Sequence, residues 1–206
     1  MTAPEFVFIR HAESTANIAP HDHLPQVSDP VLTREGLIQV ERLSNQFASR
    51  DVTAIYTSDT SRARATAKPI EDKLRLRSSE MPEIDEWNIG KGGEVDDRKL
   101  REMFDGWCEG DWDTNLEGAP NSESLADLIG RVVPAFQSIF KRHSNDDGTM
   151  LIIAHGGTIS WTMPAFVQNV SMNFAVENYL GNCCSVSVLS NRGKPHAIRW
   201  ADQQFT

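Results

Sequence analysis

Residues 5–11, with the sequence EFVFIRH, begin as a short apolar run and end on two side chains that can bind or attack an anion. The run from Glu5 to Ile9 is rich in residues that favour β-structure, and a short apolar run of this kind is typical of a buried strand. A polar pair directly after such a strand lies at the edge of its sheet. The stretch therefore predicts a strand that brings Arg10 and His11 to one edge of a sheet.

Strand and helix patterns alternate along much of the remaining chain. Further strands are predicted at 54–57, 149–154, 185–189 and 196–200, with a weaker candidate at 81–84. Helices are predicted at about 33–48, 61–74 and 125–140, where apolar residues recur at helical spacing. Such alternation indicates an α/β fold, a three-layer α/β/α sandwich with a mostly parallel central sheet and helices on both faces.

One stretch does not fit this alternation. Residues 88–121 are rich in Gly, Asp and Trp and contain only a short amphipathic piece, near residues 98–107. This composition is unlike that of a core layer. We therefore predict a single domain over residues 1–206, with an insertion or cap at about 88–121.

Several polar residues follow the predicted strands directly. Ligands of a parallel α/β sheet bind beyond the carboxyl ends of its strands, so these residues are expected to share one site. They are Arg10, His11, Ser58, Arg62, Glu86 and His155. The strand pattern alone thus predicts that two histidines, two arginines and one glutamate converge.

These residue types suit phosphoryl transfer. A neutral imidazole is a good nucleophile, and neighbouring cations disfavour its protonated form. The planar fork of arginine matches phosphate oxygens and keeps its charge, and a carboxyl group such as Glu86 can exchange protons with the leaving oxygen and with water. Because the transition state needs mainly positioning and charge stabilisation, no metal and no other cofactor is predicted.

The motifs around these residues resemble those of the histidine phosphatase superfamily, branch 1, the phosphoglycerate mutase-like proteins. Arg10–Asn17 (RHAESTAN) is similar to the opening Arg-His-Gly-Glu signature, and Ser58–Ala67 (SDTSRARATA) is similar to the Ser-x-x-x-Arg-Ala turn. Glu86–Gly90 (EWNIG) resembles the acid motif, and His155–Gly157 resembles the second histidine motif. The run PNSES at 120–124 is similar to the Pro-Gly-Gly-Glu-Ser run that begins a late helix in the family.

The resemblance assigns roles to individual residues of this chain. His11 would be the phosphorylated residue and Glu86 the acid. The phosphoryl group would be bound by Arg10, Asn17, Arg62, His155 and Gly156. A small phosphorylated molecule would be the substrate.

Spacing alone leaves two of these roles open. Arg64 lies in the same predicted helix as Arg62. Glu83, Asp85 and Glu94 lie close to Glu86. The family motifs favour Arg62 and Glu86.

The chain departs from the family pattern at Ala12, where the family usually has glycine. If this position requires a positive φ, alanine costs on the order of 1 kcal/mol or more. If φ is negative, the change is nearly harmless.

Three functions fit these features. A metal-independent phosphomonoesterase that acts on a small phosphorylated metabolite through a phosphohistidine intermediate is favoured. A cofactor-dependent phosphoglycerate mutase is the first alternative, but the Arg-Arg-Ser-x-Asp stretch that the family's mutases carry between the acid and the second histidine does not occur here. The second alternative is a catalytically weak phosphate-binding module, supported only by Ala12. Specificity is expected to depend on residues 18–28 and 88–121.

The composition limits the partners of the chain. With 20 basic and 29 acidic residues the net charge is −9, which argues against a nucleic-acid partner. No apolar stretch has the length of a membrane span. A homodimer is compatible with these features.

The cysteines and two further histidines indicate no additional chemistry. Cys108, Cys183 and Cys184 lack the spacing of a metal site or a disulfide framework, which predicts a reducing, cytoplasmic location. His21 and His23 could suggest a metal, but no third ligand is suitably spaced. A solvated loop is the favoured interpretation of that pair.

Overall fold

The computed structural model describes residues 3–18, 29–90, 97–119 and 121–205. Its strands are β1 (Glu5–Arg10), β2 (Val52–Thr57), β3 (Ser78–Glu80), β4 (Thr149–Ala154), β5 (Ser185–Asn191), β6 (Lys194–Trp200) and β7 (Gln203–Gln204). Its helices are α1 (Thr15–Ile18), α2 (Arg34–Phe47), α3 (Ser61–Leu74), α4 (Asp97–Glu109), α5 (Leu125–Arg142), α6 (Gly156–Phe166) and α7 (Met172–Glu177).

Within the described residues, the seven strands form one sheet in the order β3-β2-β4-β1-β5-β6-β7. β4 lies between β1 and β2 and pairs in parallel with both, and β2 pairs in parallel with β3. The pairings β1–β5, β5–β6 and β6–β7 are antiparallel. The sheet is therefore mixed: β3, β2, β4 and β1 form the predicted parallel part, and β5, β6 and β7 add antiparallel pairings. The short turn between β5 and β6 cannot form a parallel crossover.

Helices cover both faces of the sheet, which confirms the predicted α/β/α layers. Successive side chains of a strand point to opposite faces. Accordingly, Phe6 and Phe8 of β1 lie in one core with residues of α5 and α6, whereas Val7 and Ile9 lie in a second core with residues of α2 and α3. All six residues of β4 are buried, as expected of a central strand covered on both sides.

The helix boundaries follow from local capping. The Thr33 side chain accepts a hydrogen bond from Gly36 N at the start of α2, and Ser124 forms a capping box with Asp127 at the start of α5. The weaker strand candidate at 81–84 was wrong. Residues Pro82–Ile84 form a 3-10 turn instead, and Pro82 lacks the N–H that a strand pairing would need.

The start of α2 packs directly on the loop that follows β1. Thr33 N donates to Glu13 O at 3.0 Å, and Thr33 Oγ1 donates to Glu13 Oε1 at 2.6 Å. A Cβ atom on Gly36 would lie only 2.1 Å from Glu13 O. Glycine at this position therefore allows the helix to fix the loop that begins at His11.

Two glycine substitutions in helices should have opposite effects on stability. Gly36→Ala should lower the free energy of unfolding by about 1–3 kcal/mol, because the methyl group meets a backbone carbonyl. Gly130→Ala is the matched control, since no heavy atom lies within 4 Å of its Cβ position, and it should raise the free energy of unfolding by about 0.5–1 kcal/mol. Urea denaturation followed by circular dichroism measures both. A stabilising Gly36→Ala would contradict the close packing of this loop.

Candidate active site

The adjacent strands β2, β4 and β1 deliver their carboxyl ends to one edge of the sheet. His11 N donates to Ala154 O at 2.9 Å, and Ser58 N donates to Ile153 O at 3.0 Å. These hydrogen bonds continue the parallel pairing beyond the strands. The residues that follow the three strands are thereby held side by side.

His11 is fixed in a tautomer that leaves a lone pair on one ring nitrogen. The side chain is buried, with 2% exposure. Nδ1 lies 2.7 Å from Ala12 O, and since a carbonyl oxygen can only accept, Nδ1 carries the hydrogen. Nε2 therefore holds the lone pair, and Arg62 Nε donates to it at 3.2 Å.

The surroundings of His11 keep its ring neutral. Burial, the largest cause, acts together with the positive charge of Arg62 and a smaller contribution from Arg10 to lower the pKa of His11 to about 3. The hydrogen bond to Ala12 opposes these effects. The ring is therefore neutral at neutral pH, with its hydrogen on Nδ1 and a lone pair on Nε2.

Arg10 has one guanidinium nitrogen tied to the protein and another without an acceptor. Its Nη1 donates to Leu180 O at 2.6 Å, and its guanidinium lies 5.1 Å from the centre of the Tyr179 ring. Its Nε is buried and has no hydrogen-bond partner among the described residues. A buried N–H of this kind is costly unless an anion accepts from it.

His155 belongs to a chain of hydrogen bonds that ends on a carboxylate. Its Nε2 lies 2.8 Å from Ser58 Oγ, which donates to Asp85 Oδ1 at 2.6 Å. Because the Ser58 hydroxyl has one hydrogen, it must accept from His155 Nε2. The pKa of His155 is well below its usual value, first through burial and then through the charge of Arg62.

The other nitrogen of His155 has no partner in the described part of the chain, and its ring lies near that of His11. His155 Nδ1 is buried and has no hydrogen-bond partner among the described residues. The rings of His11 and His155 lie 5.2 Å apart, centre to centre, at 65°. Arg10 Nε is thus an unsatisfied buried donor in a site with two guanidinium charges, which is the chemistry of an anion site, whereas His155 Nδ1 is an unsatisfied acceptor.

Glu86 lies at the amino end of α6, opposite this cationic cluster. Its Oε1 accepts from Thr158 N at 2.9 Å and from Trp87 N at 3.0 Å. Among the described residues, its Oε2 has only a longer contact, with Gly157 N at 3.4 Å. The charge of Glu86 is close enough to raise the pKa of Arg62, although burial outweighs it and the net shift of that pKa is downward.

The two glycines after His155 make room for site side chains. A Cβ atom on Gly156 would lie 2.3 Å from Tyr179 Oη and 3.0 Å from Arg10 Nε. A Cβ atom on Gly157 would lie 2.7 Å from Glu86 Oε1. Any larger residue would move the groups that face the anion site.

Asn17 is held beside the site by a second amide. Its Oδ1 accepts from Ser14 N at 2.9 Å and from Asn182 Nδ2 at 3.2 Å. Asn182 Nδ2 also donates to His11 O at 3.0 Å. Asn17 therefore lies next to the loop that carries His11.

The geometry distinguishes Arg62 and Glu86 from the nearby residues that spacing alone could not exclude. Arg64 points away from the site and pairs with Glu80 at 3.8 Å, with about half of each side chain exposed. Glu83 is exposed, and Asp85 is engaged with Ser58. Glu94 lies outside the described residues.

Ala12 fits its position without strain. It is fully buried, its N–H donates to Thr66 Oγ1 at 3.0 Å, and it does not adopt a positive φ. A positive φ occurs instead at Asn121, in the run that resembles Pro-Gly-Gly-Glu-Ser; its φ is 64°, a region that asparagine tolerates.

The remaining sequence predictions concern the pair His21 and His23, the specificity segments, a metal site and a membrane span. His21 and His23, with the rest of 19–28, lie outside the described residues, as do residues 91–96 of the predicted specificity segment. The described part of the chain contains no group of three or more His, Cys, Asp or Glu side chains arranged to hold a metal ion. None of its helices has the length and apolar character to span a membrane.

Sequence reasoning missed several residues that shape this site. Ser58 was noted only for following a strand, and Asp85 only as a competitor of Glu86. Thr158 and Asn182 carried no signal, because each acts through a hydrogen bond to a residue distant in sequence. Only the position of Thr158 in the first turn after His155-Gly-Gly could have suggested a role.

The His11 ring should stay neutral over the physiological range. Its NMR resonance, assigned by its loss in His11→Gln, should show no titration between about pH 5 and 8, since the pKa is lowered to about 3. Arg62→Met should raise that pKa towards the ordinary value of 6.5, because one positive charge is removed. A wild-type midpoint near 6.5 would contradict the neutral ring.

Comparison with known proteins places this geometry in a family. The chain is 25% identical to the 5''-phosphoribostamycin phosphatase of Niallia circulans over 174 residues, which cover 78% of this chain and 77% of that protein. It is 28% identical to a 2,3-bisphosphoglycerate-dependent phosphoglycerate mutase of Bartonella henselae over 161 residues, covering 74% of this chain and 76% of the relative.

A solved structure has the same fold. The phosphoserine phosphatase of Entamoeba histolytica, in complex with 3-phosphoglyceric acid, superposes with a TM-score of 0.77 at 19% identity, covering 98% of both chains. The family model of the histidine phosphatase superfamily (branch 1) matches residues 6–203. This protein is therefore a member of the histidine phosphatase superfamily, branch 1.

Proposed function

We propose that this protein is a metal-independent phosphomonoesterase that hydrolyses a small phosphorylated metabolite through a phosphohistidine at His11. The state of the His11 ring carries the proposal. Its Nδ1 is bound to Ala12 O at 2.7 Å, so Nε2 keeps the lone pair, and Arg62 Nε lies 3.2 Å from that nitrogen. A neutral, fixed imidazole beside guanidinium groups can attack a phosphorus atom whose oxygens those groups bind.

In the first step, His11 Nε2 attacks phosphorus and the bond to the leaving oxygen breaks. Arg10 and Arg62 bind the phosphoryl oxygens and stabilise their charge. Glu86, in its acid form, gives its proton to the leaving oxygen, and the amides at the start of α6 stabilise the carboxylate that remains. The products are an alcohol and phosphohistidine.

His155 also binds the phosphoryl group. Its Nδ1 can share the hydrogen of a phosphate monoester monoanion. If the ring gains that proton, its positive charge is stabilised through Ser58 by Asp85. The protonated His155 ring would then be a third cation beside Arg10 and Arg62, and no metal would be needed.

In the second step, water attacks the phosphorus of phosphohistidine. Glu86 takes a proton from that water, and the phosphorus–nitrogen bond breaks. His11 Nε2 recovers its lone pair, inorganic phosphate leaves, and Glu86 is again in its acid form. Both steps use the same carboxyl group in opposite directions.

Both a phosphatase and a mutase occur among the relatives. We favour hydrolysis because the chain lacks the Arg-Arg-Ser-x-Asp stretch between Glu86 and His155. Isomerisation of a phosphoglycerate that exceeds phosphate release would favour the mutase instead. The binding-module alternative loses its only support, since Ala12 is unstrained.

The domain organisation and the cellular location of the protein are also proposed here. We propose that residues 1–206 form one domain and that residues 88–121 form its cap. In this segment Phe104 and Trp107 lie 4.9 Å and 5.8 Å from the Trp161 ring of α6, the helix that begins after His155. The three unpaired cysteines agree with a reducing, cytoplasmic setting.

Glu86→Gln should accumulate phosphohistidine when dinitrophenyl phosphate is the substrate. Dinitrophenolate is a stable leaving group that needs no proton, so His11 is still phosphorylated. Hydrolysis loses its base and should slow by about 10²–10⁴-fold. Intact-protein mass spectrometry after an alkaline quench measures the phosphorylated fraction, and fragmentation locates the group.

His11→Gln is the control and should give neither an adduct nor a burst of dinitrophenol. EDTA should leave the wild-type rate unchanged. An adduct on another residue would refute the His11 intermediate. Loss of activity in EDTA that added metal restores would refute the metal-independent mechanism.

A further inference from the structure

The segment that carries Glu86 has no regular secondary structure. Residues 85–90 follow the 3-10 turn at Pro82–Ile84 and belong to neither a helix nor a strand. Backbone carbonyls in such a segment have no ladder partners and need donors from elsewhere. The position of Glu86 therefore depends on which groups bind its backbone.

One side chain, Arg131 of α5, supplies several of these donors. Its Nη1 donates to Glu83 O and Asp85 O, both at 2.9 Å, and its Nη2 donates to Glu86 O at 3.0 Å. The other two N–H groups bind Glu123, with Nε 2.5 Å from Oε1 and Nη2 2.8 Å from Oε2. All five donors of the guanidinium are used, three of them on the backbone around the acid.

Glu123 extends the same contacts to the far side of Glu86. Its Oε2 accepts from Asn88 N at 2.9 Å, its N–H donates to Asn88 O at 2.8 Å, and its carbonyl accepts from Trp87 Nε1 at 2.7 Å. Although burial raises the pKa of Glu123, hydrogen bonds from Arg131 and Asn88 N hold that pKa below its ordinary value. The pair thus remains ionised and binds the segment before and after the acid.

We propose that Arg131, with Glu123 as its counter-ion, is a positioning residue that holds Glu86 against the leaving oxygen. This inference rests on the acid role given to Glu86 above. Within the described part of the chain, Arg131 binds only backbone oxygens and Glu123, so we infer that it acts through Glu86 and not on the substrate. Lysine cannot replace it, because an ammonium group lacks the planar fork that reaches several acceptors at once.

If Glu86 is displaced, the rate of phosphorylation should fall more for some substrates than for others. An oxygen that is a strong base, as in phenyl phosphate, needs a proton when its bond to phosphorus breaks, whereas the oxygen of dinitrophenyl phosphate does not. Displacement by about 1 Å can cost on the order of 10²-fold in a step that needs the group. Partial unfolding, in contrast, would lower both rates by the same factor.

The experiment compares kcat/KM for these two substrates in Arg131→Lys, Glu86→Gln and wild type. Arg131→Lys should lower the value for phenyl phosphate by about 10–100-fold and the value for dinitrophenyl phosphate by less than about threefold. Glu86→Gln should show the same selectivity with a larger loss. kcat/KM reports the phosphorylation step, in which the leaving group departs.

The matched control is Arg50→Lys. Arg50 also forms a part-buried pair with a glutamate, Glu5, with 35% and 20% of the side chains exposed against 25% and 19% for Arg131 and Glu123. It lies at the amino end of β1, away from the acid. Arg50→Lys should leave the ratio of the two kcat/KM values unchanged.

The possible failures are distinguishable. If Glu86→Gln shows no leaving-group selectivity, the acid role in the proposed function is wrong. If Glu86→Gln is selective and Arg131→Lys lowers both rates equally, or neither, the positioning role is wrong. Should Arg131→Lys fail to fold, Glu123→Gln must show selectivity in the same direction, and equal losses in that variant would overturn the proposal.

Discussion

The parallel pairing of β1 with β4 is the constraint on which the rest of the site depends. Arg10 lies opposite Ala154 in this pairing, so the two histidines that follow the strands emerge side by side. Because both faces of these strands are buried, a shift of one residue would exchange their core-facing side chains. The registry that satisfies the two cores is therefore also the registry that brings the His11 and His155 rings to 5.2 Å.

The site is locally positive, although the net charge of the molecule is negative. A chain with a net charge of −9 would repel a phosphate ester from much of its surface. In the site, two guanidinium groups remain charged while both imidazoles are kept neutral by burial and by those cations. The carboxyl groups of Glu86 and Asp85 accept hydrogen bonds from Thr158 N and from Ser58 Oγ, which fix their positions beside these cations.

The sequence was informative where function depends on the ends of strands. Arg10, His11 and His155 follow runs of apolar residues so closely that their convergence could be predicted from topology alone. Arg62 could be predicted because the first turn of α3 directly follows β2. The strands at the carboxyl end of the chain were predicted as strands, but their antiparallel direction was not, since an apolar strand pattern does not record direction.

The contacts between distant residues could not be predicted in the same way. Arg131 lies in the middle of a helix whose apolar period predicted only core packing, and its acceptors are backbone carbonyls, which no sequence pattern marks. The chain from His155 through Ser58 to Asp85 likewise joins three separate segments. Such groups are recognised only when the fold has fixed the distances between them.

A crystal structure with orthovanadate tests the central claim most directly, because this anion imitates the geometry of phosphoryl transfer. We expect vanadium within bonding distance of His11 Nε2, its equatorial oxygens bound by Arg10, Arg62 and His155, and an axial oxygen next to Glu86. Vanadate bound elsewhere, or bound with His11 Nε2 out of contact, would contradict it.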